Sequence, residues 1–259
     1  MQTSRAVALM LLLANIGMAW ADAQTDSGED TRNSLPPIHV RQSVEMNYQG
    51  VNEARANYLA ALRDCQAGGL HSRALPDQDV ALLGTTRYEL WFARDIEVVR
   101  ETSWSIANDG PGGTCLFRLE TTGTQETTTD SSYQRVDLAT GEQTEEAAAP
   151  EALSRMPVDK SAPAALGDFQ GPTPRMVAGQ PCDDWVKPNG LHQCVWSAGT
   201  TWGFTAEPLN DHRPNRSFIV LEQIPGADSD YRVTTQVISV GEPFDPATLT
   251  APRVPGKRD

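Results

Sequence analysis

Positive charge is scarce in this chain: 21 lysines and arginines stand against 34 aspartates and glutamates, a formal net charge of −13. A nucleic-acid partner needs a basic surface to displace phosphate counterions, so that class is set aside. Docking on anionic lipid head groups by charge fails for the same reason. Solubility accounts for the acidity itself. Catalytic signatures are missing too. The sequence holds no G-x-S-x-G elbow, no H-E-x-x-H, no Walker loop and no strand-linked G-x-G-x-x-G. The cluster Gly110-Pro111-Gly112-Gly113 lies between strand-like segments, with no helix N-terminus to present to a phosphate, and reads as a turn.

No apolar run reaches the ~20 residues of a membrane-spanning helix. The nearest is Ala6–Ala14, which Asn15 and Gly17 interrupt. With Arg5 before it and Ala19-Trp20-Ala21 after it, this run has the three parts of a secretory signal, cleaved after Ala21 or Ala23. The expected mature protein is therefore periplasmic or secreted, with no integral membrane segment.

There are four cysteines, Cys65, Cys115, Cys182 and Cys194, and none belongs to a C-x-x-C pair. In an exported chain a small even number reads as disulfides, not as a zinc site. Three connectivities are open. Pairing within each half, Cys65–Cys115 and Cys182–Cys194, is favoured.

Along the chain, residues 1–23 are the signal peptide, and residues 24–45 are polar, broken by Pro36-Pro37, and read as a flexible leader. From Met46 to Gln66 the residues Val51, Ala54, Tyr58, Ala61, Leu62 and Cys65 recur with helical spacing. Gly68-Gly69 ends that helix. The period then changes to two. Tyr88, Leu90 and Phe92 alternate with Arg87, Glu89 and Trp91, and further strands are predicted at Ile96–Ile106, Cys115–Thr121 and Tyr133–Gln143. Thr121–Ser132 reads as a polar, mobile loop. Residues 146–166, rich in Ala and Pro, read as a linker or crossover. Strands resume at Arg175–Gly179, Asp184–Val186, Leu191–Ser197, Thr201–Ala206, Ser217–Gln223 and Tyr231–Val240, with Pro188-Asn189-Gly190 a hairpin turn between Cys182 and Cys194. Residues 46–245 thus form one β-rich domain, and residues 246–259 a frayed tail. The fold class is mainly β with one N-terminal helix (α+β), an antiparallel meander.

One helix, a long meander and then a clipped hairpin follow in that order. The hairpin runs from Val177-Ala178-Gly179-Gln180-Pro181-Cys182 to Cys194-Val195-Trp196-Ser197-Ala198-Gly199. This layout resembles the periplasmic lipoprotein-carrier and receptor (LolA/LolB-type) half-barrel superfamily over residues 46–245. The resemblance implies an incomplete barrel closed on one side by helices, with an apolar, aromatic concave face able to hold an acyl chain. It carries no functional residue over to this sequence.

The remaining chemistry is thin. The four histidines, His39, His71, His192 and His212, are spread through the chain. Asp211 abuts His212, but neighbours on an extended strand face opposite ways, so a polar loop is the simpler reading. The acidic pairs Asp183-Asp184, Asp228/Asp230 and Glu145-Glu146 read as solvated turns or loops. No catalytic residue, metal ligand or cofactor is assigned. Aromatic residues are more telling: Trp91, Trp104, Trp185, Trp196, Trp202 and Phe204 fall on predicted strands. They are core by default. On an open concave face, Trp196, Trp202 and Phe204 would line a pocket for a lipid-like molecule or a hydrophobic segment of an envelope protein. The expected function is an exported binding or accessory protein and not an enzyme. The alternatives are a structural or assembly subunit of an envelope complex and, third, a hydrolase around His212.

Overall fold

A computed structural model describes residues 35–110, 114–149, 153, 167–227 and 230–252. The signal segment and most of the 146–166 linker fall outside them. One 12-stranded sheet dominates. Its strands are β1 (Ile38–Asn47), β2 (Ser72–Arg73), β3 (Thr85–Phe92), β4 (Ile96–Asn108), β5 (Cys115–Thr129), β6 (Ser132–Asp137), β7 (Gln143–Ala147), β8 (Gln170–Val177), β9 (Gln180–Val186), β10 (His192–Trp196), β11 (Val220–Ile224) and β12 (Asp230–Val240). They lie in the order β7-β6-β5-β4-β3-β1-β12-β11-β10-β9-β8, with β2 beside β5. Every pairing is antiparallel except β2 with β5. The sheet does not close, because its edges β7 and β8 stay unpaired with each other. The segment between those strands therefore joins the two opposite edges.

The first described strand is the first correction. Ile38–Asn47, whose residues up to Glu45 read as flexible leader, is a central strand held between β3 and β12. Its Ile38, Val40, Gln42 and Val44 alternate into the core. Two prolines and a glutamine in the alternating set hid that period. Gln42 is fully buried; its Nε2 donates to Thr235 Oγ1 on β12 and to the Val220 carbonyl at the start of β11, while its Oε1 has no hydrogen-bond partner.

The helix α1 (Glu53–Ala67) is shorter than its predicted span. Met46 and Asn47 belong to β1, and Tyr48 and Val51 close a tight turn through reciprocal backbone hydrogen bonds. Gln49 and Gly50 take the left-handed conformation that such a turn needs. Asn52 then caps the helix, its Oδ1 accepting from the Arg55 amide at 3.0 Å. A second, four-residue helix α2 (Asp77–Val80) follows. Tyr58 is buried on α1; its hydroxyl accepts from the Leu75 amide at 2.8 Å and its ring meets Phe117 edge-on at 5.4 Å. With Leu83, Cys115 and Phe117 these make a small core under the helix.

Cys65 and Cys115 form one disulfide and Cys182 and Cys194 the other, the pairing favoured from sequence. In the chain-entropy account, closing loops 50 and 12 residues apart contributes roughly 4 and roughly 3 kcal/mol. Two such bonds mark a chain that folds under oxidising conditions. None of the described helices is long and apolar enough to cross a membrane.

Three more expectations change. Thr121–Ser132, expected as a mobile loop, is mostly strand: β5 runs to Thr129 and pairs with β4 along its length. Threonines suit a pleated surface whatever their polarity. Thr201–Ala206, expected as a strand, lies in and after a 3-10 turn at Ala198–Trp202. Gly199 makes this turn fit, since a Cβ there would stand 2.5 Å from the Trp196 ring. Finally, residues 246–252 of the expected frayed tail pack across the outer face of the sheet. Arg100 Nη2 donates to the carbonyls of Thr248 and Thr250, and Gln125 Nε2 to that of Leu249.

Candidate functional site

An open cleft of about 560 Å3 lies where α1 begins, beside the sheet. Strand register builds its floor. Val44 of β1 stands opposite Thr86 of β3, and Met46 opposite Tyr231 of β12, so all four share one face. Tyr88, two residues along β3, completes that face. The start of α1 supplies one wall through Asn52, Glu53 and Asn57, and β4 supplies Ser103 and Trp104. The opposite wall is His212, whose ring lies on Tyr231 with centroids 3.8 Å apart and planes 22° from parallel. At the mouth, Met46 is 58% and Tyr48 53% exposed, an unusual display of large apolar surface.

Buried polar groups hold these walls. Gln193, 1% exposed, donates from Nε2 to the Leu209 and Asp211 carbonyls at 3.0 Å and accepts the Leu209 amide at 3.1 Å. It also meets Gln223, which in turn donates to the Tyr231 carbonyl. The loop that carries His212 and the strand that carries Tyr231 are thus tied to one amide pair. On the other side, Asn52 Nδ2 donates to Glu45 and to the Leu83 carbonyl.

The electrostatics are uneven. Burial, then the neighbouring Glu101 carboxylate, pushes the Tyr88 phenol up to about 12. Arg213 stands over the Tyr88 ring at 6.0 Å and pairs with Glu101 at 3.8 Å. Asp211 caps the backbone of its own loop. Its Oδ1 accepts the backbone amides of His212 and Arg213 at 2.7 and 3.0 Å. A smaller cavity of about 190 Å3, reached by Lys187, lies beyond and shares His212 and Tyr231 with the cleft.

No protein-family model matches this chain, and no curated protein matches it either. The site therefore rests on its own geometry.

Two of the residues expected to line a pocket do not reach an opening. Trp196 and Phe204 are 0% and 1% exposed and pack edge-on at 5.0 Å within the main core, with Phe92 and Phe218. Trp202 is half-buried and leans on Trp196 at 5.9 Å. None of the three lines the cleft. The 3-10 turn explains this, because it folds Trp202 and Phe204 back on to Trp196.

The acidic pairs are also separated. Asp183 and Asp184 face opposite sides of β9; Asp184 is held by Arg175 at 3.3 Å and by His192 at 3.2 Å, while Glu222 takes the other arm of Arg175 at 2.7 Å. Glu145 and Glu146 sit exposed on the edge strand β7. Asp228 lies outside the described residues. His71 is exposed, and His39 lies flat against Trp91 under the tail, centroids 5.0 Å apart. No three His, Cys, Asp or Glu side chains come together as metal ligands among the described residues.

Sequence reasoning missed Tyr48, Tyr88 and Tyr231 as a group. Trp104 and His212 drew notice, but the residues meet only through a register that pairs β1 with both β3 and β12.

Proposed function

We propose that this protein is an exported binding protein, without catalytic activity of its own, whose cleft takes a lipid-like or otherwise amphipathic ligand. The observation that carries the reading is the cleft beside α1. Its volume falls within the ~300–1,000 Å3 range of small-molecule pockets. Its rings and Met46 offer apolar surface, with each ligand methylene buried there worth about 0.8 kcal/mol. Asn52, Asn57, Thr86 and Ser103 add polar groups that can orient a head group. The signal-like N-terminus and the disulfides support a periplasmic or secreted setting. The resemblance to LolA/LolB-type half-barrels leads to the same class of ligand.

A second reading, a subunit or assembly factor of an envelope complex, draws on strand β7. All five of its residues are exposed along a sheet edge, where another chain's strand can pair.

Native mass spectrometry of protein purified from its own exported fraction, followed by organic extraction, separates the two. An extractable amphipathic molecule is expected. A clean apo mass, together with no uptake of a fluorescent amphiphile, would overturn the binding reading.

A further inference from the structure

The charge of the cleft differs from that of an ordinary fatty-acid site. Among the described residues no lysine or arginine lines it, and Glu53 is the one carboxylate that does. Three arginines that adjoin its walls are already engaged. Arg55 pairs with Glu45 at 3.5 Å, Arg213 with Glu101 at 3.8 Å, and Arg87 lies over the Trp104 ring at 5.0 Å. An anionic head group entering here would lose its water and meet no cation to replace it. A cationic head group would meet aromatic rings and the Glu53 carboxylate.

We propose that the cleft selects an amphipathic organic cation, an alkylammonium in chemical class, over the corresponding anion. This rests on the binding reading above and names the ligand class for the same site. Quaternary or tertiary ammonium groups suit such a wall. They are attracted by the negative faces of Tyr and Trp rings and lose less hydration than a small ion. The chain supplies its own precedent in Arg87 over Trp104 and Arg213 over Tyr88. The apolar tail of the ligand would lie along Met46 and Val44, and Tyr48 would close over it.

The test uses three probes with the same twelve-carbon chain: dodecyltrimethylammonium, dodecanoate and uncharged dodecyl maltoside. Titration calorimetry would be run below their micelle concentrations, at pH 8 and 150 mM salt. The salt screens the acidity of the whole surface. The expected result is at least tenfold tighter binding of the ammonium than of dodecanoate. That preference should shrink at least threefold in Glu53→Gln and in Trp104→Leu, with circular dichroism unchanged. Equal or tighter binding of dodecanoate would overturn the charge selection while leaving the binding reading intact. An ammonium preference that survives both substitutions would overturn it too, by assigning the effect to general surface charge. Binding of none of the three probes would overturn the binding reading and the selection together.

Discussion

His212 lies almost parallel to Tyr231, 3.8 Å from ring centre to ring centre, and the two side chains separate the main cleft from the smaller cavity beside Lys187. A stacked aromatic pair contributes about 0.5–1.5 kcal/mol beyond its buried area. Replacing Tyr231 with Leu should therefore weaken amphiphile binding about tenfold while lowering stability by about 1 kcal/mol. Urea denaturation and calorimetry on the same variant check both numbers. Binding that is unchanged would take Tyr231 out of the site.

Gln193 should be far more sensitive. It is buried and serves three backbone groups of the loop that ends at His212. A leucine there leaves the Leu209 amide and two carbonyls unpaired, and each buried orphan costs about 1–3 kcal/mol unless water reaches it. Gln193→Leu is expected to lose on the order of 3 kcal/mol. Hydrogen exchange should show the loop around residues 209–213 opening before the sheet does.

Tyr88 makes an alkaline prediction. Its phenol ionises near 12 in the folded chain against 10.0 for the ordinary group. Folding therefore holds the neutral form. The stability associated with it is present below pH ~10 and is lost as pH rises through the folded value of about 12. Ultraviolet titration of the phenolates should reveal a late step that disappears in Tyr88→Phe.

His39 predicts the opposite slope in acid. Burial against Trp91 holds its imidazole below the usual 6.5, outweighing the attraction of Glu89, while Arg41 works in the same direction as burial. Arg100 stands over the other aromatic partner, Trp91, and Glu242 and Asp245 line the same cavity from the tail. The neutral ring is the favoured form. Its contribution is complete above about pH 6.5 and falls as the solution is acidified through the lowered folded value. Denaturant midpoints measured between pH 7.5 and 5 should fall less steeply in His39→Phe than in the natural chain. Parallel curves would rule out His39 as the group responsible.

Gly199 offers a test of the turn that displaced a predicted strand. A methyl group placed there stands 2.5 Å from the Trp196 ring and 2.9 Å from Phe204 Cβ. Gly199→Ala should cost about 1–3 kcal/mol through overpacking. A shift in tryptophan emission would accompany it, because Trp196 and Trp202 must move.

Much of this molecule is written locally. The alternation of Tyr88, Leu90 and Phe92, the Asn189-Gly190 turn and the stripe ending at Cys65 each depend on residues a few positions apart. The turn is found as expected. Tyr88, Leu90 and Phe92 lie on a strand whose Glu89 and Trp91 are buried as well. Of the helical stripe, Tyr58 is buried and Ala61, Leu62 and Cys65 half-buried, while Val51 precedes the helix and is exposed, as is Ala54. The disulfides follow in the same way from which cysteines flank a hairpin and which ends a helix.

The central strand was harder to read. The pattern of Ile38–Asn47 includes Gln42, whose buried Nε2 finds its acceptors only at Thr235 and Val220, 193 and 178 residues away. The threonines of β5 carry no apolar alternation, since their strand is fixed by pairing with β4. Aromatic residues on predicted strands could not be divided into core and cleft, because a side chain has the same local pattern in either place.

The sequence alone determined the strand-rich character and the pairing of the two cross-links, for those depend on composition and short spacing. Tertiary structure decided that the first and last strands meet in the middle of the sheet. It also decided that Trp196 is buried and that Tyr88, Trp104, His212 and Tyr231 gather around an opening. These outcomes rest on strand order and register, which long-range pairing sets and no short window of residues contains.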